Sequence, residues 1–540
     1  MIEKLRKEKK SLFLEEKLFF ERKAVKQIKT NCKYFYKYAN SFKKVQTEPS
    51  ILQDDKGELI MDKKVIADML QQQFKSVFSN PLDSENYSPP FEKPTITHPL
   101  PDLEITTADI VKAINEIKTS SSCPKYEIPA KVFKECKHTL SVPLKMLWTE
   151  SFETGRVPQH YKHQLVIPIY KKGPKTKCEN FRPISLTAHT IKIFERILRD
   201  KLAAYFELNS LFNSNQHGFR RQRSCATQLL AHTNYIHSGL VEGSGVDSIY
   251  IDYAKAFDKV DHKVLLQKLK HYSVNDHYIE WIKSFLEGRF QTVNVDGFYS
   301  FPTPVLSGVP QGSVLGPLLF IIYLNDLSNE ISGAEIQTFA DDTKIVAKIN
   351  TVDDKNNLQK NLDSVITWSQ INNMKLNINK FELICHKSKT ENKTLNLLNI
   401  LPFSNSFNSY IATNSINIDP SSSVKDLGIV IDESLNWKLQ IEVICKKSKQ
   451  LSAWILSVFY TRDRLTMLTL FNALVRSRLE YCCEVWSPHQ IQDIVKLEQL
   501  QRSFTHRISG MKDHNYWDRL EILKIMSLQR RREKIIIIHL

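Results

Sequence analysis

No stretch of this 540-residue sequence is long and apolar enough to cross a bilayer; the longest apolar run, LGPLLFIIYL from Leu315 to Leu324, is about half the ~20 residues needed. The N-terminus, MIEKLRKEKKSLFLEEK, mixes both charge signs and lacks the apolar core of a secretory signal. Neither a signal peptide nor a transmembrane segment is expected, and the expected location is cytoplasmic and/or nuclear. Cysteine is scarce: nine are spread along the chain, and the one adjacent pair, Cys482 and Cys483, has no second pair at zinc-ligand spacing. A disulfide-stapled scaffold and a zinc module are therefore not expected, and reduced thiols are. Proline and glycine are missing from residues 1 to 45, and no internal repeat is present.

Against these absences stands an ordinary folded composition, 42% hydrophobic, 10% aromatic and 25% charged, which removes collagen-like, low-complexity and wholly disordered classes. At roughly 150 residues per domain, the length implies about three or four domains rather than one core. Lys and Arg total 75 against 59 Asp and Glu, a formal net charge of +16. Such an excess calls for a polyanionic partner, either nucleic acid or an anionic membrane.

Residues 1 to 45 read as a basic helical arm, a pattern that a merely solvated helix shares. The Pro-bearing stretch from Asn80 to Pro101 disfavours helix at many points and reads as a linker. Beyond it, Thr106 or Thr107 can cap a helix whose Ile110, Ala113, Ile114 and Ile117 share one face. LVIPIY followed by KKG reads as a strand entering a basic turn. SIYIDY, Ser248 to Tyr253, is β-rich and hands over to a helical period at Asp252. EIQTF and TKIVAKI are short β-prone runs joined at hairpin spacing by Ala340, Asp341 and Asp342. Past Leu439 the pattern is helical and basic, with Lys446, Lys447, Lys449, Arg462, Arg464, Arg476 and Arg478 interleaved with Trp454, Phe459 and Phe471.

Chemistry concentrates at two acidic positions about ninety residues apart, Asp252 and Asp341–Asp342, each at the end of a β-prone run. Successive strand residues face opposite ways, so both acids of the pair reach one spot only if the turn bends one round; Asp341 is the better candidate. Were the two strands neighbours, Asp252 and Asp341 could share two Mg²⁺ ions, hard cations that take carboxylate and phosphate oxygens. That geometry serves phosphoryl transfer. Single Asp residues at strand ends and turns are commonly structural, so the argument needs context.

Context comes from SIYIDYAKAFDKVDH, SGVPQGSVLGPLLF (Ser307 to Phe320) and FADD (Phe339 to Asp342), which in that order and spacing resemble signature blocks of reverse transcriptases. They are most similar to those of non-LTR retrotransposons of the LINE class, jockey-like elements in particular. The resemblance extends to LVIPIYKKG, NFRPISL and QHGFRRQRSCATQLL upstream, and to LNINKFELI and VKDLGIVIDESLNW downstream, covering most of the chain.

The resemblance implies an α/β right-hand polymerase with fingers, palm and helical thumb. It also implies RNA-directed DNA polymerase activity, two Mg²⁺ ions with Mn²⁺ as a substitute, and an RNA template, a DNA primer or target and deoxynucleoside triphosphates as partners. It implies metal binding by Asp252, Asp341 and the Tyr253 carbonyl, with Asp342 a weaker supporting carboxylate. Phe257 falls where these enzymes place a ring beneath the incoming sugar, although a core aromatic would occupy the same helix position. Gly308, Gln311 and Gly312 belong to a loop that meets the nascent base pair. Lys171 or Lys172, and Arg182, match cations holding the triphosphate, where Arg suits bidentate contact. Lys380 matches a lysine near the leaving pyrophosphate.

The expected divisions are residues 1–100 as helical extension and linker, 101–150 as helices preceding the fingers, 151–438 as fingers and palm, and 439–540 as the thumb-like region. The chain departs from the family where a GPDGIP-like turn is usual, reading Cys123, Pro124, Lys125, Tyr126, Glu127, Ile128, Pro129 instead. An endonuclease, usual upstream in autonomous elements, is not expected here. A catalytically decayed nucleic-acid-binding relic is the alternative that this altered turn supports.

Overall fold

The computed structural model describes residues 2–29, 32–42, 49, 51–79, 87–387, 409–412 and 416–539. Residues 80–86, the start of the expected linker, lie outside these. The chain is a mixture of helix and sheet and divides into two compact units. One comprises residues 46–224 and 238–420; the other comprises 1–45, 225–237 and 421–540.

In the first unit, a small hairpin (β1 Leu52–Gln53, β2 Leu59–Ile60) precedes a sheet ordered β4-β3-β6-β7, formed by β3 His163–Tyr170, β4 Phe181–Leu186, β6 Phe290–Val295 and β7 Phe298–Tyr299. The short β8, Thr303–Pro304, also pairs with β6. The strand read from LVIPIY is β3, and its antiparallel partner β4 sets Ile169 opposite Arg182. The basic KKG segment follows β3 directly.

A second, four-stranded sheet is ordered β11-β5-β10-β9 and is antiparallel throughout; it consists of β5 Gly245–Ile251, β9 Glu335–Phe339, β10 Asp342–Ile349 and β11 Glu382–His386. β5 is paired on both sides, and all of its residues except Tyr250 are buried, the polar Asp247 and Ser248 among them, while Val246, Ile249 and Ile251 supply its β-branched side chains. Its register places Ile249 between Ile345 and Leu383, and Ile251 opposite Thr343. Ile249, Ile251, Ile345 and Leu383 join the main core. Strand alternation then turns Asp252, the next residue, toward the opposite face.

That core contains the helix Gly316–Leu324, buried at every position but Pro317. The run that came nearest to membrane length is thus a core helix, apolar all round because protein surrounds it. Each Leu, Ile or Phe fully buried there stabilises by about 1.5–3 kcal/mol. Glu195 is wholly buried on the helix His189–Leu208 and accepts from the amides of Val314 (2.6 Å) and Leu315 (2.9 Å), satisfying orphan donors at the N-terminus of Gly316–Leu324. Among the described residues no helix is long and apolar enough to cross a membrane.

The helix expected after the linker is Thr107–Glu116, with Thr106 as its N-cap in a reciprocal capping box with Asp109. Its Ile110, Ala113 and Ile114 are buried, as is Ile117 just beyond.

The other unit joins the helices Ile2–Lys26 and Cys32–Ser41 to a C-terminal set that includes Lys438–Val458, Ile491–Thr505 and Leu528–His539. Glu21, fully buried, accepts from the amides of Tyr460 and Thr461 and from the Thr461 hydroxyl at 2.6 Å. Phe35 stacks on Phe459 at 5.9 Å. The basic N-terminal arm is therefore part of a folded unit. Lys446, Lys447, Lys449, Arg464 and Arg478 are exposed, whereas Phe459 and Phe471 are buried core. Those two aromatics pack within the unit and are not available to stack on bases.

Candidate active site

Asp252 follows β5 and Asp341 sits in the two-residue turn between β9 and β10. Because β5 and β10 are neighbours, both acids line one cleft of about 580 Å³, together with Tyr253, Phe257, Asp258, Gln311, Gly312, Lys171, Arg182, Asp342, Asn377 and Lys380. The turn answers the question of strand alternation. The direction of the chain there is set by Ala340, a non-glycine residue in the left-handed region at φ 57°, which carries the chain round so that Asp341 and Asp342 both border the cleft.

The chain brings two like charges together here. Burial first, and then the charge of Asp252, push the Asp341 carboxyl above its ordinary range, while Arg182 and Lys171 pull it down. On Asp252, Lys380 donates to Oδ2 at 2.8 Å and Asn377 donates to the same oxygen at 3.0 Å. Asn377 also donates its backbone N–H to the Asp252 carbonyl at 2.8 Å. Burial and the cations Arg182, Lys380, Lys172 and Lys255 lower the Lys171 pKa. A concentration of positive charge thus surrounds two carboxylates.

Tyr253 forms an antiparallel bridge with Leu376, flanked by the Ala254–Lys375 and Asn377–Asp252 backbone bonds. In such a ladder the Tyr253 N–H and C=O point away from Leu376, toward the side on which β10 and Asp341 lie. Two carboxylates and a carbonyl form a hard oxygen set suited to Mg²⁺. Among the described residues no group of three or more His, Cys, Asp or Glu side chains could hold a metal, so a cation here would need the carbonyl and substrate phosphate oxygens as well.

The remaining predicted positions are placed as follows. Phe257 is half-buried, stacked on Phe320 at 4.3 Å and 13° and edge-on to Phe219, so it borders the cleft while resting on the core. Gln311 donates to Asp258 Oδ1 at 2.8 Å, and Asp258, pushed up to about 6 mainly by burial, takes one of that amide's two N–H donors. A Cβ on Gly312 (φ 125°) would lie 2.5 Å from the Ser185 carbonyl, and one on Gly308 (φ 89°) 2.7 Å from the Asp258 Cα. Both glycines are thus required by approaches within the chain itself. Lys172 is exposed on the turn after β3 and, unlike Lys171, is not among the cleft-lining residues. None of residues 123–129 lines the cleft.

Two residues of the site were not singled out from the sequence. Asn377 stands three positions before Lys380 in the LNINK segment, and Gln216 opens QHGFRR. Their only sequence signal is membership of those blocks, because both act through partners more than a hundred residues away.

Paired acids on adjacent antiparallel strands, ringed by cations in an open cleft, are an arrangement able to serve nucleotidyl transfer. Residues 169–431 match the family profile of reverse transcriptase (RNA-dependent DNA polymerase), and this stretch is a reverse transcriptase domain. The chain is similar to the RNA-directed DNA polymerase from mobile element jockey of Drosophila melanogaster, 27% identical over 68% of this chain and 40% of that protein. It is 25% identical to the probable RNA-directed DNA polymerase from transposon BS of the same species over 74% of this chain and 44% of that protein. The jockey protein of Drosophila funebris is 25% identical over 83% of this chain and 48% of that protein. The chain thus spans less than half the length of these curated relatives.

Proposed function

We propose that this chain is an RNA-directed DNA polymerase of a non-LTR retrotransposon, copying an RNA template into DNA with Mg²⁺. The observation that carries this reading is the entry of Asp252 and Asp341, from neighbouring strands, into one cleft with Lys171, Arg182 and Lys380. In this reading the β11-β5-β10-β9 sheet is the palm, the sheet containing β3 and β4 belongs to the fingers, and the helices after residue 438 are the thumb. Residues 1–100 and 101–150 precede the fingers as helical extension with linker and as supporting helices.

Two Mg²⁺ ions, or Mn²⁺ in their place, would activate the primer hydroxyl and take up charge on the leaving pyrophosphate. Asp252, Asp341 and the Tyr253 carbonyl would hold them, with Asp342 in support. Arg182 offers a bidentate fork to triphosphate oxygens, and Lys171 and Lys172 add charge beside it. Lys380 would exchange the Asp252 carboxylate for pyrophosphate oxygens once the acids are neutralised. Phe257 would exclude a 2′-hydroxyl by its bulk. Gln311, oriented by Asp258, and Gly312 would meet the nascent pair.

The second reading, a nucleic-acid-binding relic without catalysis, draws on the altered turn at residues 123–129, a segment away from the cleft lining. Extension of a DNA primer on an RNA template by the purified chain separates the two. The polymerase reading expects dNTP-dependent elongation that needs Mg²⁺. Tight primer-template binding with no elongation over hours would leave only the relic.

A further inference from the structure

Asp341 depends on its turn for direction, and that turn is held from outside its own hairpin. The segment around Gln216 runs beside β9 as a short parallel addition: Thr338 donates to the Asn215 carbonyl at 3.1 Å and His217 donates to the Thr338 carbonyl at 2.9 Å. From there the Gln216 side-chain oxygen accepts from Ala340 N–H at 3.0 Å and from Gly218 N–H at 2.7 Å. Gln216 and Ala340 are nearly inaccessible, at 4% and 5% exposure, so water does not replace this acceptor. Gly218 lies so close that a Cβ on it would come within 2.3 Å of the Ala340 nitrogen.

The anchor is itself rigid. Arg220 pairs with Glu207 at 2.6 Å and donates to the Asn213 carbonyl at 2.8 Å, and Asn213 N–H donates to Asn325 at 2.9 Å. One fixed amide oxygen therefore holds the N–H of the left-handed residue that immediately precedes Asp341. Turning Ala340 toward an ordinary negative φ would rotate the following peptide and swing Asp341 away from Asp252.

We infer that Gln216 is a positioning residue for the metal-binding carboxylate Asp341, fixing the turn through Ala340 N–H rather than touching substrate or metal. This rests on the polymerase reading above and names a part of the site that sequence blocks alone do not assign. Groups that orient metal ligands are costly to remove, typically about 10–100-fold in metal affinity or activity.

The test uses the full chain and two substitutions. Gln216→Met keeps length and bulk but removes the acceptor, whereas Gln216→Glu keeps an oxygen in reach of both N–H groups. Mn²⁺ binding is followed by electron paramagnetic resonance, with Asp341→Ala defining the background, and primer extension is measured alongside at a temperature where every variant is folded. Gln216→Met is expected to weaken the Asp341-dependent Mn²⁺ site by roughly tenfold or more and to lower kcat similarly, with KM for the nucleotide little changed. Gln216→Glu is expected to retain most of both. Should Gln216→Met fail to fold, Gln216→Asn, one methylene short of Ala340, is expected to show the same losses. Folded Met or Asn variants with wild-type Mn²⁺ affinity and kcat would overturn the inference, as would a Glu variant no better than Met. A wild-type chain with neither Asp341-dependent Mn²⁺ binding nor extension would instead defeat the polymerase reading, and this inference with it.

Discussion

At the scale of single residues, Asp341 is the most instructive group. Its carboxyl is pushed above the ordinary range by burial and by Asp252, so the folded state binds its proton more tightly than the unfolded chain does. Stability from this site is present at low pH and is lost as pH rises from the ordinary carboxylate range through the raised folded value. Asp341→Asn is accordingly expected to raise the melting temperature at neutral pH in EDTA, with the gain shrinking as pH falls below that window, while extension is lost. Equal melting temperatures of the two proteins at neutral pH would contradict a carboxyl held above its ordinary range by burial and by Asp252. Phe257 supplies a second prediction. If its ring bars the 2′-hydroxyl, Phe257→Val raises kcat/KM for ribonucleotides relative to deoxynucleotides; if it serves only the stack on Phe320, both fall together with a stability loss of about 1–4 kcal/mol. Measuring both nucleotides on the folded variant distinguishes the two.

Elements show why some of this was legible from the sequence. Asp252 and Asp341 stood out because a β-rich run ending in an acid is a local pattern, and the hairpin that carries Asp341 forms where its short connection indicated, with Asp342 already paired to Phe339 in the strand. The capped helix at Thr106 was legible for the same reason. Asn377 and Gln216 were not, since an amide in a loop declares nothing until its partner, 125 and 124 residues away respectively, is in place. Glu195 is a comparable case. An acid within an amphipathic helix reads as solvated, yet here it is buried and caps the helix Gly316–Leu324. Glu195→Ala leaves two buried amides unpaired and is expected to cost about 1–3 kcal/mol in urea unfolding. A change below a few tenths would show that water reaches those donors.

Over the whole molecule, the +16 charge is expressed as exposed Lys and Arg on the C-terminal helices and as the cations around the cleft. Binding to primer-template is expected to be indifferent to sequence and to fall linearly on a log–log plot as salt rises, since each neutralised phosphate releases counterions. A flat salt dependence would contradict a backbone-gripping surface. The composition made that charge visible, but not the association of residues 1–45 with residues 421–540 in one unit. Burial of Glu21 beneath Tyr460 and Thr461 links segments some 440 residues apart, beyond the range of any local pattern.

The claim on which all else depends is that Asp252 and Asp341 together form a metal-dependent polymerising site. It is tested most directly by single-turnover extension of a DNA primer on RNA with Mg²⁺, comparing the full chain with Asp252→Ala and Asp341→Ala after confirming that each variant is folded. Losing charge stabilisation at the cations removes several kcal/mol from the barrier reduction, so each variant is predicted to be slower by at least about a hundredfold. Extension by either variant at a rate close to the unsubstituted chain would contradict the account.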